Sequence, residues 1–376
     1  MMCLSSFLFF MSFNLIIPEL PAYLTSLGGG QYKGLIIGLF TLAAFISRPF
    51  SGRLADTVGR LPIMIVGTLV CVVLGFMYPL LGTVGGFLVL RFFHGFSTGF
   101  QPTGSTAYIA DVVPFNRRGE AMGYHGVMGN LGMAAGPALG SLLALYLSMN
   151  IMFYVSSGIA LLSLVVIAGI KETVENKKKF KWTDLAVWRE PIYDPLVKPV
   201  VFTMVLTSFS FGLILTLIPD LTDHLGISNR GIFFTFFTIS SIASRVFAGK
   251  ASDYYGRVAI LRVAVFIMSV GIGLVALATT PMMFYSGAIL FGLGTGMNTP
   301  TLFAWTVDLG DPANKGRSIA TVFMGLEAGI FFGAVVPAYI YDNDSSNFIW
   351  TFGLGAVLLL VAFIFLLLYR PKHIGR

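Results

Sequence analysis

Twelve apolar segments of membrane-spanning length divide this chain of 376 residues. A helix that crosses the hydrocarbon core needs about 20 apolar residues, because its backbone polar groups must be satisfied within the segment. Hydrophobic residues make up 56% of the sequence and charged residues only 11%, unlike a soluble domain. We therefore predict an all-α membrane protein. The segments lie near residues 2–24, 33–54, 62–82, 86–110, 119–147, 150–170, 199–224, 231–250, 259–279, 282–308, 316–341 and 347–369.

A polar motif follows the second apolar segment and recurs after the eighth. Its glycine, aspartate, glycine and arginine have the same spacing in both copies: Gly52, Asp56, Gly59 and Arg60, then Gly249, Asp253, Gly256 and Arg257. An offset of 197 residues relates the copies, and it also relates Lys33 to Arg230. Because many transporters consist of two like halves, we predict six-helix bundles over 1–170 and 199–376.

The one long polar interval, 171–198, joins the predicted bundles. It carries four lysines within 177–181. Of the 24 Lys and Arg residues, all but Lys33, Arg230 and Arg91 fall on the side of this interval or at its edge. The positive-inside rule makes that side the cytosol, so both termini are predicted to be cytosolic. This asymmetry accounts for the net charge of +7, and no nucleic-acid partner is expected.

Charged residues inside the apolar segments are candidates for function, because a charge in hydrocarbon costs several kcal/mol unless it is paired or hydrated. Glu19 and Arg91 each lie about 7 Å inside the non-cytosolic end of their segments, counted at about 1.5 Å per residue. That common depth suggests an ion pair between them. Asp220 follows a proline in the seventh segment, as Glu19 does in the first. Hydrated acids at a helix mouth are the structural alternative for both.

Glu327 is the deepest acid, near the middle of the eleventh segment, and its repeat equivalent is Asn130 in the fifth. Polar residues at equal depth in both halves predict a central cavity, where a carboxylate would take up and release a proton. A neutral acid bonded across helices is the alternative. His94 is also embedded and is either part of this cavity or a hydrogen-bonded core residue.

The first motif copy resembles the signature of the loop between helices 2 and 3 in the major facilitator superfamily, and the second resembles its counterpart between helices 8 and 9. The resemblance implies a fold of two six-helix bundles. It also implies that Asp111 pairs with Arg60 and that Asp308 pairs with Arg257, in a cytosolic gate that includes both motif copies.

Two further resemblances concern the direction and coupling of transport. Arg91, in the stretch Arg-Phe-Phe-His-Gly, resembles the helix-4 arginine that is associated with proton coupling in antiporters of the family. Gly132, Gly136, Pro137 and Gly140 resemble the helix-5 Gly-Pro motif of its drug:proton antiporters, in which helix 5 packs against the opposite half. Both resemblances favour export with proton exchange.

We therefore expect a secondary active transporter that works by alternating access and exports a small organic molecule or drug in exchange for protons. The expected partners are that substrate, protons and membrane lipids, with a monomer in a bacterial inner membrane. No metal-ligand spacing, nucleophile elbow or phosphate loop occurs in the sequence, so no enzyme activity, metal or cofactor is expected. Two alternatives are a proton symporter or facilitator that imports a small polar nutrient, and a non-transporting receptor or scaffold.

Overall fold

The computed structural model describes residues 1–114, 118–174, 193–310 and 315–369, and most of these residues are helical. Within these ranges there are thirteen α-helices: α1 Met2–Ile16, α2 Leu20–Ser26, α3 Lys33–Thr57, α4 Arg60–Met77, α5 Val84–Val112, α6 Arg118–Tyr146, α7 Met149–Ala168, α8 Lys198–His224, α9 Ile232–Tyr255, α10 Arg257–Ala276, α11 Pro281–Leu309, α12 Lys315–Tyr341 and α13 Phe348–Leu368.

The long helices are consistent with the twelve predicted membrane spans, of which the described residues show ten. A 3-10 turn at Ile17–Glu19 joins α1 to α2, and the segment Met2–Ser26 is one span. Ten described segments are long and apolar enough to cross a membrane. The other two long helices, α5 and α11, have 29 residues each, which corresponds to about 43 Å. These two helices are long enough to cross a membrane, but they are less apolar than the ten segments. The predicted all-α membrane fold is confirmed.

Contacts divide the chain into two compact units. Unit 1 contains Met1–Ile192 and Ile218–Thr235, and unit 2 contains Tyr193–Leu217 and Phe236–Arg376. The boundaries predicted from the repeat differ at Ile218–Thr235, which belongs to the second repeat by sequence but packs with unit 1. Residues 175–192, the greater part of the predicted linker, lie outside the described residues.

In unit 1, α1 packs on α6 and α7, while α3 and α4 pack on α5. A line of glycines lets α6 approach the backbone of α1. A Cβ atom at Gly132 or Gly140 would overlap the carbonyl oxygen of Phe7 or Leu15, and one at Gly136 would lie 2.7 Å from that of Met11. Small residues at such spacing allow close contact between membrane helices.

Unit 2 repeats this arrangement. Gly329 and Gly333 of α12 follow Gly132 and Gly136 by 197 residues. They lie against the backbone of α8 at Val205 and Phe209, as the α6 glycines lie against α1. The repeat in the sequence is therefore also a repeat in helix packing.

Candidate functional site

The two motif copies form the turns that lead from α3 into α4 and from α9 into α10. Gly59 has a φ of +132° and Gly256 a φ of +91°, values that side chains of L residues rarely allow. In contrast, a Cβ atom at Gly52 or Gly249 would meet nothing within 4 Å. The backbone conformation therefore requires glycine at Gly59 and Gly256. At Gly52 and Gly249, packing within the described structure leaves room for a larger residue.

Each motif arginine contacts the aspartate that the resemblance assigned to it. Arg60 Nε lies 3.1 Å from Asp111 Oδ2, and Arg257 Nε lies 2.9 Å from Asp308 Oδ2. In the second copy, Arg257 also forms an ion pair with Asp253. The side chain of Asp56, the equivalent residue in the first copy, lies outside the described part of the structure.

Glu172, which the sequence analysis did not select, holds the first motif turn. Its carboxylate accepts hydrogen bonds from the backbone N–H groups of Arg60 and Leu61, at 3.1 and 3.0 Å, and thereby caps the start of α4. The N–H groups of Thr173 and Val174 also donate to it. Burial raises the pKa of Glu172, but the four backbone donors outweigh burial and leave the pKa lowered.

A second charged group lies at the opposite end of α3 from the motif turn. We call it the far-end cluster, and its members come from both repeats: Glu19, Lys33, Ser141, Asp220, Asp223 and Arg230. Arg230 Nη1 donates to Glu19 Oε2 at 2.6 Å, and Ser141 Oγ donates to Glu19 Oε1 at 2.8 Å. Lys33 forms an ion pair with Asp220. All these residues belong to unit 1.

Arg230 holds two carboxylates at once. Besides Glu19, it binds Asp223 through two parallel hydrogen bonds of 2.7 Å, the fork geometry that suits a guanidinium. Burial lowers the pKa of Arg230, but the hydrogen bonds and charges of Asp223 and Glu19 outweigh it and raise that pKa. Beside the cluster lies a cavity of about 380 Å³, lined by Lys33, Asp220, Asp223 and Arg230 and by apolar groups such as Pro21 and Pro219.

The predicted pairing of Glu19 with Arg91 is wrong in this structure. Arg91 is fully buried, and its Nε donates to the carbonyl oxygen of Ile36 at 2.9 Å. Its guanidinium also lies over the Phe40 ring, 4.5 Å from the centroid. The sequence indicates the depth of each residue along its helix, but not the direction in which its side chain points around the helix axis. In the structure, Glu19 faces α6 and Arg230.

The remaining predicted residues are distributed over both units. His94 is buried and hydrogen-bonds to Tyr78 and Cys71. Glu327 is 5% exposed in α12 of unit 2, and Asn130 is half-buried in α6 of unit 1. Within the described ranges, no three His, Cys, Asp or Glu side chains lie together as a metal site requires.

Pro137 of the helix-5 motif contacts the second repeat. A Cβ atom at Gly231 would overlap the carbonyl group of Pro137, so the start of α9 and α6 approach each other at backbone distance. The motif glycines themselves face α1, which belongs to the same repeat. The contact with the second repeat is therefore made by the proline, next to the far-end cluster.

A family model decides which group of proteins the chain belongs to. The model of the Major Facilitator Superfamily matches residues 2–231 and 200–375, which together span nearly the whole chain. The chain belongs to the Major Facilitator Superfamily. It is accordingly a multi-pass membrane protein of a transporter family.

Named relatives and solved structures resemble the chain over half of its length or more. A "multi-drug resistance efflux pump PmrA homolog" of Lactococcus lactis is 28% identical over 91% of this chain and 90% of its own. The "quinolone resistance protein NorA" of Staphylococcus aureus is 31% identical over 55% of this chain and 53% of its own.

The solved structures are more distant in sequence. A D-xylose–proton symporter superposes with a TM-score of 0.82 at 15% identity, covering 100% of this chain and 98% of its own. The human organic anion transporter MFSD10 gives 0.75 at 20% identity, covering 97% of each chain. At such identities, these structures establish the fold only.

Proposed function

We propose that this protein exports a small organic compound from the cytosol in exchange for protons, as a monomer in the bacterial inner membrane with both termini cytosolic. The similarity over nine-tenths of a relative named as a multidrug efflux pump supports the direction of transport. The helix-4 and helix-5 motifs, with Arg91 and Pro137, support proton exchange.

The far-end cluster is the observation that carries the proposal. It joins helix ends of both repeats through two ion pairs, and the acids of these two pairs are largely buried: the side chain of Glu19 is 5% exposed and that of Asp220 14%. A pair of this kind depends on the ionised acid. Protonation of Glu19 or Asp220 removes its charge and weakens its contact with Arg230 or Lys33.

Such pairs meet a requirement of proton exchange. An exchanger wastes the proton gradient if its empty, unprotonated form changes conformation freely. Ion pairs that form only when the acids are ionised stabilise one conformation of that form, so protons or substrate must bind before the helix ends separate. A ligand shifts a conformational equilibrium only by its differential affinity for the two states, and this arrangement supplies such a difference. In this scheme Glu327 is the proton-carrying acid, and the motif turns act as the gate on the cytosolic side.

The experiment is dye transport by purified protein in liposomes under an imposed pH gradient. With rhodamine 123 as the probe, an acidic lumen should drive accumulation of the dye, because protons leave as the dye enters. Nigericin, which collapses the gradient, should stop accumulation, and liposomes without protein give the baseline. Accumulation driven only by an acidic exterior would establish symport and overturn the proposal. No flux of any dye or nutrient in a compound panel would favour the receptor alternative.

A further inference from the structure

A chain of buried hydrogen bonds runs through unit 1 from Arg91 to α1. Arg91 Nη1 lies 3.4 Å from Tyr78 Oη, which lies 3.2 Å from His94 Nδ1. His94 Nε2 lies 3.2 Å from Cys71 Sγ, and that sulfur lies 3.3 Å from Ser12 Oγ. All five side chains are at most 1% exposed.

The donors in this chain can be assigned in one direction. A guanidinium only donates, so Tyr78 accepts from Arg91 and gives its own proton to His94 Nδ1. His94 then carries its proton on Nε2 and donates to Cys71, whose thiol donates to Ser12. Ser12 in turn donates to the carbonyl oxygen of Phe9 at 2.7 Å. In this assignment the tyrosine oxygen is an acceptor for Arg91, and Ser12 ends the chain at a backbone carbonyl.

The second repeat has no such chain. The offset of 197 residues holds at Arg60 and again at Gly95, so it holds for the positions between them. The equivalents of Cys71, Tyr78, Arg91 and His94 are, in that order, Met268, Val275, Ala288 and Phe291. Apolar side chains thus occupy the same positions in the second repeat. The repeated fold can therefore form without the buried chain of hydrogen bonds.

Arg91 lacks a counter-ion among the described residues. Its contacts are a carbonyl oxygen, a phenol oxygen and an aromatic ring, and its Nη2 is buried without a hydrogen-bond partner. A buried charge without an opposite charge is strongly unfavourable, because desolvation is not offset by pairing. Tyr78 and Phe40 hold the Arg91 guanidinium in one orientation. Its buried positive charge and its unpartnered Nη2 group are suited to bind an anion.

We propose that Arg91 binds a carboxylate of the transported compound through Nη2, and that Tyr78 and His94 are positioning residues that orient its guanidinium. The proposal rests on the proposed transport of a small organic compound and specifies one chemical group of that compound. A guanidinium and a carboxylate form charge-assisted hydrogen bonds that an ester cannot reproduce. The protein should therefore distinguish an acid from its own methyl ester.

Rhodamine 110 and rhodamine 123 test this, because they share a fluorophore and differ in a free carboxylate against its methyl ester. Binding to the purified protein in detergent, measured by fluorescence anisotropy, requires neither a membrane nor a proton gradient. We expect the acid to bind at least about tenfold more tightly than the ester, which is the discrimination expected of one charge-assisted hydrogen bond. Equal affinities, or binding of neither dye, would overturn the proposal.

Variants separate the carboxylate contact from a structural role. Arg91→Gln should remove the preference for the acid while ester binding stays within about twofold. Tyr78→Phe and His94→Phe should reduce the acid-to-ester ratio, and Arg91→Lys should retain part of it. Ser163→Ala is the matched control, because it removes a buried hydrogen bond between α7 and Ser5 that does not reach Arg91. If Arg91→Gln weakens acid and ester equally, the residue is structural.

The protein's own acid is the other source of a carboxylate. If Arg91 binds the carboxylate of Glu19, then Glu19→Gln should change the acid-to-ester ratio as Arg91→Gln does. That result would overturn the proposal that Arg91 binds a carboxylate of the substrate. If the ratio in Glu19→Gln equals that of the parent, that proposal stands. Because these are binding measurements, their failure leaves proton-driven export intact, and failure of export leaves the binding result intact.

Discussion

Lys33 and Arg230 occupy equivalent positions in the two repeats, 197 residues apart, and each pairs with an acid of the other repeat. Their partners, Asp220 and Glu19, correspond in local sequence, since both follow a proline near the end of the first helical segment of their repeat, although they are 201 residues apart and not 197. The two ion pairs are thus reciprocal, as contacts across a two-fold axis are.

Exchange of the charges at Lys33 and Asp220 tests whether the pairing itself matters. Lys33→Asp alone places two acids together, and Asp220→Lys alone places two bases together. Each should reduce gradient-driven dye uptake at least about tenfold, because breaking a largely buried pair costs about 3–5 kcal/mol. The double variant restores opposite charges and should recover most of the uptake, measured in liposomes at equal protein content.

Asp223→Asn is the control for this exchange. Its side chain is 48% exposed, and Arg230 keeps Glu19 when the charge of Asp223 is removed. We expect at most about a twofold loss of uptake. A double variant as inactive as the two single variants would show that the individual residues matter and not their pairing.

The sequence contained a signal for the far-end cluster that our interpretation did not use. Lys33 and Arg230 were the two basic residues on the non-cytosolic side and were already related by the repeat offset. Glu19 and Asp220 each follow a proline in the preceding helical segment and were then the candidate acids for them in the two repeats. Glu19 was predicted to pair with Arg91 instead, because depth along a helix can be counted from sequence, whereas the direction of a side chain depends on packing.

The apolar segments and the repeat were predictable, because hydropathy and motif spacing are local properties of the sequence, and the pairs at Asp111 and Asp308 were implied by the family resemblance. Glu172 was not predictable in the same way. A carboxylate that caps a helix more than 100 positions away along the chain carries no local pattern. The chain through Tyr78, His94 and Cys71 likewise depends on how α4 and α5 pack, although the apolar equivalents of these residues in the second repeat mark them as unusual.

Glu172 gives a prediction of pH-dependent stability. Its lowered pKa means that the ionised form stabilises the folded state at neutral pH, and that this contribution is lost as pH falls below about the ordinary glutamate value of 4.5. Glu172→Gln should cost about 1 kcal/mol at pH 7, typical of a lost helix cap. Thermal unfolding in detergent at pH 7 and at pH 3.5 should show a gap between variant and parent that shrinks at the lower pH.

Asp342→Asn controls for the loss of a negative charge, because Asp342 is exposed in the turn after α12. Its effect on the unfolding midpoint should be small at both pH values. A Glu172→Gln gap that stays constant between pH 7 and pH 3.5 would contradict the capping role of the ionised carboxylate.

The motif turns are predicted to hold one conformation from the cytosolic side. Asp56→Asn should slow the transport cycle several-fold while leaving dye affinity within about twofold, and adding Asp253→Asn should slow it further because Arg257 then loses one of its two acids. Initial rates of uptake and equilibrium binding provide the two measurements. If the double variant transports dye as fast as the parent, the turns do not act as a gate and contribute only to the orientation of the helices in the membrane.

Topology can be tested with two introduced cysteines. Ser345 lies in the turn before α13, and Lys178 lies in the predicted cytosolic interval. In a Cys3→Ser background, with Cys71 buried, a membrane-impermeant maleimide should label Ser345→Cys in intact cells and Lys178→Cys only after permeabilisation. Labelling of both sites in intact cells would refute the predicted orientation.

Proton coupling through Glu327 is the most demanding prediction. If Glu327 carries the exchanged proton, its neutral and ionised forms must favour different conformations, because only differential affinity shifts such an equilibrium. Glu327→Gln resembles the protonated form with little change in volume. The variant should therefore lose accumulation of dye driven by a pH gradient, while downhill exchange of dye across the same liposomes remains measurable. Asn130→Asp, at the equivalent position of the other repeat, tests whether a carboxylate there substitutes for the missing one. Accumulation by Glu327→Gln equal to that of the parent would make Glu327 structural, and the proton site would then be sought at Glu19 or Asp220.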